Sequence, residues 1–186
     1  DKVTFELIDY RHVEDRFDRV VSVGMFEHVG LPHYQDFFDV VRDRLQPDGV
    51  ALLHSIGRAD GPGGTDSFMA KYIFPGGYAP ALSEVTPRVE RAGLWTTDVE
   101  ILRLHYAKTC EAWYDACVER KADIVALYDE RFWRMWTFYL AGAAMAFRHM
   151  GQMVFQIQLA RDVATVPMTR DYISATEQKY LASVAA

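Results

Sequence analysis

The chain has 186 residues, half of them apolar and 13% aromatic, enough to bury the core of one ordinary domain. A formal charge of −6 and a pI near 5.5 argue against a nucleic-acid binder driven by phosphate neutralisation. They leave open a lipid-surface enzyme, because a local basic or aromatic patch docks on lipid while the whole stays acidic.

In chain order, "VTFELI" from Val3 to Ile8 predicts a strand ending in Asp9-Tyr10-Arg11. A polar connection follows. Arg19 to Gly24 predicts a second strand, nearly continuous in β-branched residues as strands buried on both faces are. It stops at a glycine, and Glu27 and His28 come directly after. Ionisable groups are costly to bury without partners, so this pair is either a strand-end site or turned to solvent. Tyr34, Phe37, Phe38, Val41 and Leu45 recur at helical spacing between Pro32 and a Pro47-Asp48-Gly49 stop. Val50 to Leu53, closed by His54, predicts a third strand, followed by the glycine-rich loop "GRADGPGGTD". "SEVTPRVERAGL" predicts a short helix capped by Ser83, with Pro87 in or near its first turn and Gly93 at its stop. Trp95 to Leu104 predicts a strand, Lys108 to His149 a long helical region, and "QMVFQIQLA" from Gln152 to Ala160 a closing strand. The tail after Thr165 carries only weak patterning.

Cys110 and Cys117 lie too far apart along one helix for good disulfide geometry and read as free thiols of a reducing compartment. The richest apolar run, "WTFYLAGAAMAF", is too short to span a bilayer. The histidines and cysteines show no metal-ligand spacing, so no metal is expected. Strands alternating with helices predict an α/β layer fold with a mainly parallel sheet and ligands at the carboxyl ends of its strands. Four such ends carry polar groups: Asp9-Tyr10-Arg11, Glu27-His28, His54-Ser55 and His105-Tyr106. No Gly-rich turn follows an early strand, so the N-terminal strands and cofactor turn of a nucleotide-type fold are missing from this chain.

The motifs "IDYRHVEDRFDRVVSVGMFEHVG", "LQPDGVALLHSIG", "KYIFPGGYAP", "HYAKTCEAW" and "YDERFWRMWTFYLAGAAMAFR" occur in that order. Together they resemble cyclopropane-fatty-acyl-phospholipid synthases and the related mycolic acid cyclopropane synthases. The likeness runs to about Asp162. It implies a Rossmann-like class I methyltransferase sheet with helices on both faces, of which residues 1–186 are the C-terminal portion and 163–186 a tail. Without the central strands of that sheet, "RVVSV" would be an exposed apolar edge.

The resemblance further implies S-adenosylmethionine as cofactor, with Tyr10 and Arg11, and Asp9 beside them, on its adenine side. The missing turn implies that the fragment alone binds this cofactor poorly. A bicarbonate ion is implied among Glu27, His54, Tyr106 and the backbone of Ile56, with His28 as a weaker catalytic candidate. The family's cysteine at that ion is matched by neither Cys110 nor Cys117. The implied chemistry is methylene addition to the double bond of an unsaturated phospholipid acyl chain, through a cation that aromatic faces stabilise. Tyr34, Phe74, Trp113, Phe132, Trp136 and Tyr139 are candidates for that stabilisation. The expected setting is cytoplasmic and peripheral to the membrane, with a phospholipid partner, no nucleic acid and a homo-oligomeric assembly. Two alternatives stay open: methyl transfer to an amine or to an alkene without ring closure, and a catalytically inactive lipid-binding module.

Each residue also has an ordinary reading. Glu27 suits a helix N-terminus. His54 suits a satisfied histidine at a strand end, and Tyr106 suits half-buried core. Tyr10 and Arg11 suit a simple turn.

Overall fold

The computed structural model describes residues 3–184. Its sheet has four strands: β1 (Phe17–Val23), β2 (Leu45–Arg58), β3 (Trp95–Leu102) and β4 (Gln152–Ala160). Their spatial order is β1-β2-β4-β3. β1 and β2 are parallel, whereas β4 runs antiparallel to both β2 and β3. The sheet is therefore mixed rather than mainly parallel. Alternation alone carries no strand direction, and the short Met150-Gly151 connection returns β4 beside the helix it follows. Because β4 opposes both neighbours, β1, β2 and β3 still point the same way and their carboxyl ends share one edge.

Alternation along β2 sorts its side chains onto two faces. Ala51, Leu53 and Ser55 are buried under α1 (Tyr34–Arg44) and α2 (Leu82–Arg91). Phe26, Tyr34, Phe37, Phe38, Val85, Val89, Phe155 and Ile157 complete that main core. On the opposite face, Ile56, Leu102 and Tyr106 close over a smaller cluster of Ala107, Phe147 and Val154. α3 (His105–Glu119) and α5 (Glu130–His149) supply its helical half, with α4 (Lys121–Leu127) between them. The long helical region is broken at Tyr128-Asp129, where extended Asp129 accepts the Phe132 N–H at 2.6 Å and restarts the helix.

Four expectations are corrected. Val3 to Ile8 forms no strand, and Phe5 and Leu7 are exposed, because no described strand lies beside them to share a ladder. Asp9-Tyr10-Arg11 consequently belongs to a single 3-10 turn, Tyr10–His12, rather than to a strand end. Ser83 does not cap α2. Ala81 holds that position and Glu84 reaches back to accept its N–H at 2.9 Å, while Pro87 falls in the second turn. The tail contains a further helix, α6 (Asp171–Val184), anchored where Tyr172 donates to Gln158 at 3.0 Å and Arg170 pairs with Asp98 at 2.8 Å. Its weak amphipathicity follows from exposure on nearly all sides.

β1 pairs only with β2 and is a sheet edge, with Val21 64% and Val23 63% exposed. No helix among the described residues is long and apolar enough to cross a membrane.

One glycine on β2 makes room for a ring of the neighbouring strand. A Cβ on Gly57 would lie 2.5 Å from Phe155 Cε1 and 2.8 Å from the Pro80 carbonyl oxygen. Gly57→Ala is expected to destabilise by about 1–3 kcal/mol, as overpacking a close-packed core does. Denaturant unfolding checks this through a lower midpoint at unchanged slope.

Candidate active site

The site begins where β1 ends. Gly24 adopts φ 68°, a left-handed conformation open to glycine, and its N–H donates to the His54 carbonyl at 3.2 Å. The chain then enters a 3-10 turn, Phe26–His28. Phe26 is driven into the core, stacked on Tyr34 at 4.1 Å, and Glu27 is thereby turned toward the end of β2. Glu27 Oε1 accepts the Ile56 N–H at 2.7 Å. Glu27 Oε2 is buried and has no partner. A buried carboxylate oxygen left without a donor is costly, and this one marks where a donor would be received.

The Glu27 main chain is held as well. Its carbonyl accepts the Tyr78 N–H at 2.8 Å, and the Tyr78 hydroxyl donates to both Glu84 carboxylate oxygens, at 2.8 and 2.9 Å. The "KYIFPGGY" segment thus clamps the turn that carries Glu27 to the start of α2. Sequence reading did not single out Tyr78 or Glu84. Glu84 sits three residues beyond the observed cap, which is the spacing of a capping carboxylate.

His54 lies two residues before Ile56 on the same face of β2. Gln156 is its register partner on β4, and the carboxamide nitrogen stands 3.0 Å from His54 Nδ1. A carboxamide NH₂ only donates, so Nδ1 accepts and the neutral ring carries its proton on Nε2. Gln156 is thus a positioning residue absent from the sequence reading. Only the antiparallel register of β4 brings it to His54.

Tyr106, in the first turn of α3, packs against Phe147 at 5.1 Å between ring centres and edge-on to Trp113 at 6.0 Å. Burial raises its phenol, with smaller contributions from Cys110 and Glu27, so the hydroxyl is a protonated donor at neutral pH. Tyr139 is pushed up to about 12 by burial, aided by Cys110 and Tyr106. Cys110 is a buried free thiol, itself raised by burial.

The Ile56 N–H is already committed to Glu27, so its role in this geometry is to hold the carboxylate. His28 is exposed, edge-on to Phe74 at 6.0 Å. It faces a separate open cleft of about 340 Å³, lined also by Asp9, Tyr10, Arg11, Met25, Val29 and His33. There Arg11 clasps Asp9 through its backbone N–H at 3.0 Å, Nε at 3.0 Å and Nη2 at 2.7 Å. These bonds hold the Asp9 carboxyl well below the usual carboxylate range. The ion pair, the Tyr10 ring and Met25 suit a nucleoside with an attached thioether or sulfonium group.

Of the aromatic candidates, Tyr34 is claimed by the main core with its hydroxyl buried and unpartnered. Phe74, Tyr139, Trp136 and Phe132 instead form a continuous ladder, with centroid distances of 6.0, 5.1 and 6.1 Å. Exposed Tyr128 extends it at 4.2 Å from Phe132, and Phe74 joins it to His28.

The architecture, a mixed sheet with helices packed on it, is that of class I S-adenosylmethionine-dependent methyltransferases. A family profile described as mycolic acid cyclopropane synthetase matches residues 1–157, and the chain belongs to that family. It is 40% identical over 161 residues to cyclopropane-fatty-acyl-phospholipid synthase of Escherichia coli K12, covering 87% of this chain and 42% of that protein. The chain thus spans less than half the length of that relative. Among solved structures, the cyclopropane synthase MmaA2 of Mycobacterium tuberculosis matches with a TM-score of 0.76 at 33% identity, covering 83% of this chain and 59% of that one. Mycolic acid cyclopropane synthase CmaA1, complexed with SAH and CTAB, matches with the same TM-score at 32% identity and the same coverage.

Replacing Gln156 by Leu removes the donor from Nδ1. His54 is expected to lose its single tautomer, and nitrogen chemical shifts of ¹⁵N-histidine-labelled protein check this. Nδ1 reads as the unprotonated nitrogen in the wild type, and the two nitrogens average toward each other in the variant.

Proposed function

We propose that the protein containing this chain transfers a methylene group from S-adenosylmethionine to the double bond of an unsaturated phospholipid acyl chain, forming a cyclopropane ring, with bicarbonate as the base. The observation that carries the reading is the buried, partnerless Glu27 Oε2, on a carboxylate tied through the Ile56 N–H to the end of the strand that carries His54.

When bound, S-adenosylmethionine supplies an electrophilic methyl group on a sulfonium. Tyr10, Arg11, Met25 and His28 would hold it, with Asp9 fixing Arg11. Bicarbonate fits the other site because it offers one hydroxyl donor and several acceptor oxygens. Glu27 Oε2 would accept the hydroxyl, which would orient the anion and raise its basicity. His54 and Tyr106 would supply donors to its remaining oxygens. Ile56 and Gln156 keep Glu27 and His54 in these roles. Phe74 and Tyr139 present ring faces toward positive charge developing on the acyl chain.

In the whole protein, incubated with S-adenosylmethionine and vesicles of unsaturated phospholipid, lipid masses should gain one CH₂ while the alkene is lost. Glu27→Gln, His54→Gln and Tyr106→Phe should each lower kcat/KM by about 100-fold or more, the scale of a lost proton-transfer group. Buffer stripped of carbon dioxide should slow the wild type, and added bicarbonate should restore it. Unchanged lipid in a protein that binds the cofactor would overturn the reading.

A further inference from the structure

The chain is acidic overall, yet the outer face of α5 is not. Arg131, Arg134, Phe138, Ala141, Gly142 and Met145 recur at helical spacing and all are exposed. The only carboxylate in α5, Glu130, is tied to Lys121 Nζ at 3.0 Å. Against this face lies the short π-type helical turn Met69–Ile73. Phe68 packs edge-on to Phe138 at 5.1 Å and contacts Tyr72 at 5.5 Å, while Lys71 Nζ stands 4.9 Å from the centre of the Tyr72 ring. Lys71 and Arg131 flank the Tyr72 hydroxyl and hold it below its ordinary value. Asp66, the nearest carboxylate in the preceding chain, is occupied by the Phe68 and Met69 amides at 2.9 and 3.0 Å. Phe138 is 65% exposed and Tyr72 45% exposed, and through Phe68 the three rings form one contiguous apolar patch, which marks a surface that meets something apolar.

The same turn faces two ways. Lys71 and Tyr72 point outward, and Phe74, immediately after it, is the rung joining Tyr139 to His28. A molecule seated on the patch therefore lies beside Phe74, the rung of the aromatic ladder next to His28.

We propose that Phe68, Lys71, Tyr72, Arg131, Arg134 and Phe138 form a docking surface for an anionic phospholipid bilayer, from which an acyl chain is passed inward along Phe74 and Tyr139. The inference rests on the lipid reading above and adds where the lipid enters. The charge pattern selects a bilayer: cations ring the rim and aromatics sit between them, as in segments that lie in the headgroup region. A second copy of the same face would set arginines against arginines in a two-fold contact.

The test is sedimentation of the whole protein with vesicles of unsaturated phosphatidylglycerol and phosphatidylcholine, compared with phosphatidylcholine alone. The wild type should bind the anionic vesicles, and the affinity should fall steeply with added salt. R131E/R134E should weaken this binding by roughly 30-fold or more and flatten the salt dependence, whereas R131K/R134K should retain both. R131Q/R134Q provides the same loss of charge should the reversed pair fail to fold, and Phe138→Ser should weaken binding without changing the salt slope. Charge-reversed protein that folds and binds vesicles like the wild type would overturn the proposal. So would a wild-type dimer that the reversal dissociates with vesicle binding intact. Vesicle binding lost on reversal, in a protein that leaves lipid masses unchanged, would sustain the docking surface and remove the cyclopropanation reading. Product formed normally by the reversed variant on anionic vesicles would do the opposite.

Discussion

The hydrogen bond from the Ile56 N–H to the Glu27 carboxylate joins the first strand's exit to the second strand's end, and the site is arranged around it. A carboxylate is brought into a half-buried pocket, which is costly, and one of its two oxygens is satisfied by main chain. The other oxygen is buried with no hydrogen-bond partner among the described residues. Around that asymmetry the neighbours behave consistently. Tyr78 and Glu84 clamp the backbone of the turn, Gln156 directs the His54 proton to Nε2, and burial keeps Tyr106 protonated.

Two layers divide the work. The main core, built on Phe26, Tyr34, Phe37 and Phe38, fixes how β1 leaves the sheet and so where Glu27 points. The smaller cluster beneath α3 and α5 sets Tyr106 against Ile56 and leaves an aromatic ladder between solvent and site. Stability and chemistry thus draw on opposite faces of one sheet. Gly57 lies within the sheet against the Phe155 ring of β4 and the Pro80 carbonyl, and no side chain fits there.

Nearly all of the regular elements were legible in the sequence where a single physical signal dominated. β1, β3 and β4 announced themselves by apolar runs or alternation and α1 by helical spacing, whereas β2, expected over 50–53, runs Leu45–Arg58 and takes in the expected Pro47-Asp48-Gly49 stop and the start of the glycine-rich loop, because pairing with both β1 and β4 extends it. The misses have specific causes. Val3 to Ile8 has a strand's composition, but a strand exists only with a ladder partner. Asp129 splits the helical region because its side chain outcompetes the helix for a backbone donor. α6 shows little amphipathic signal because little of it is buried. Glu27, His54, Tyr106 and Asp9 to Arg11 could be picked out as residue types at strand ends or turns. That Asp9, Tyr10 and Arg11 line an open cleft with His28, while Glu27 is bonded to the end of β2, could not.

By itself the sequence determined the local matters: which segments are apolar enough to be strands or helices, where Gly24 lets β1 turn, and that the family motifs stand in order. These follow from nearest-neighbour sterics and periodicity, which a linear chain carries in full. Only the tertiary structure decided the direction of β4, and with it the meeting of Gln156 and His54 across a ladder 102 residues long in sequence. It alone decided that the Ile56 N–H is spent on Glu27, that Tyr34 belongs to the core, and that Phe138 faces outward while Tyr139 faces in. Such assignments depend on which groups are left unsatisfied once the layers have packed, and that balance exists only in three dimensions.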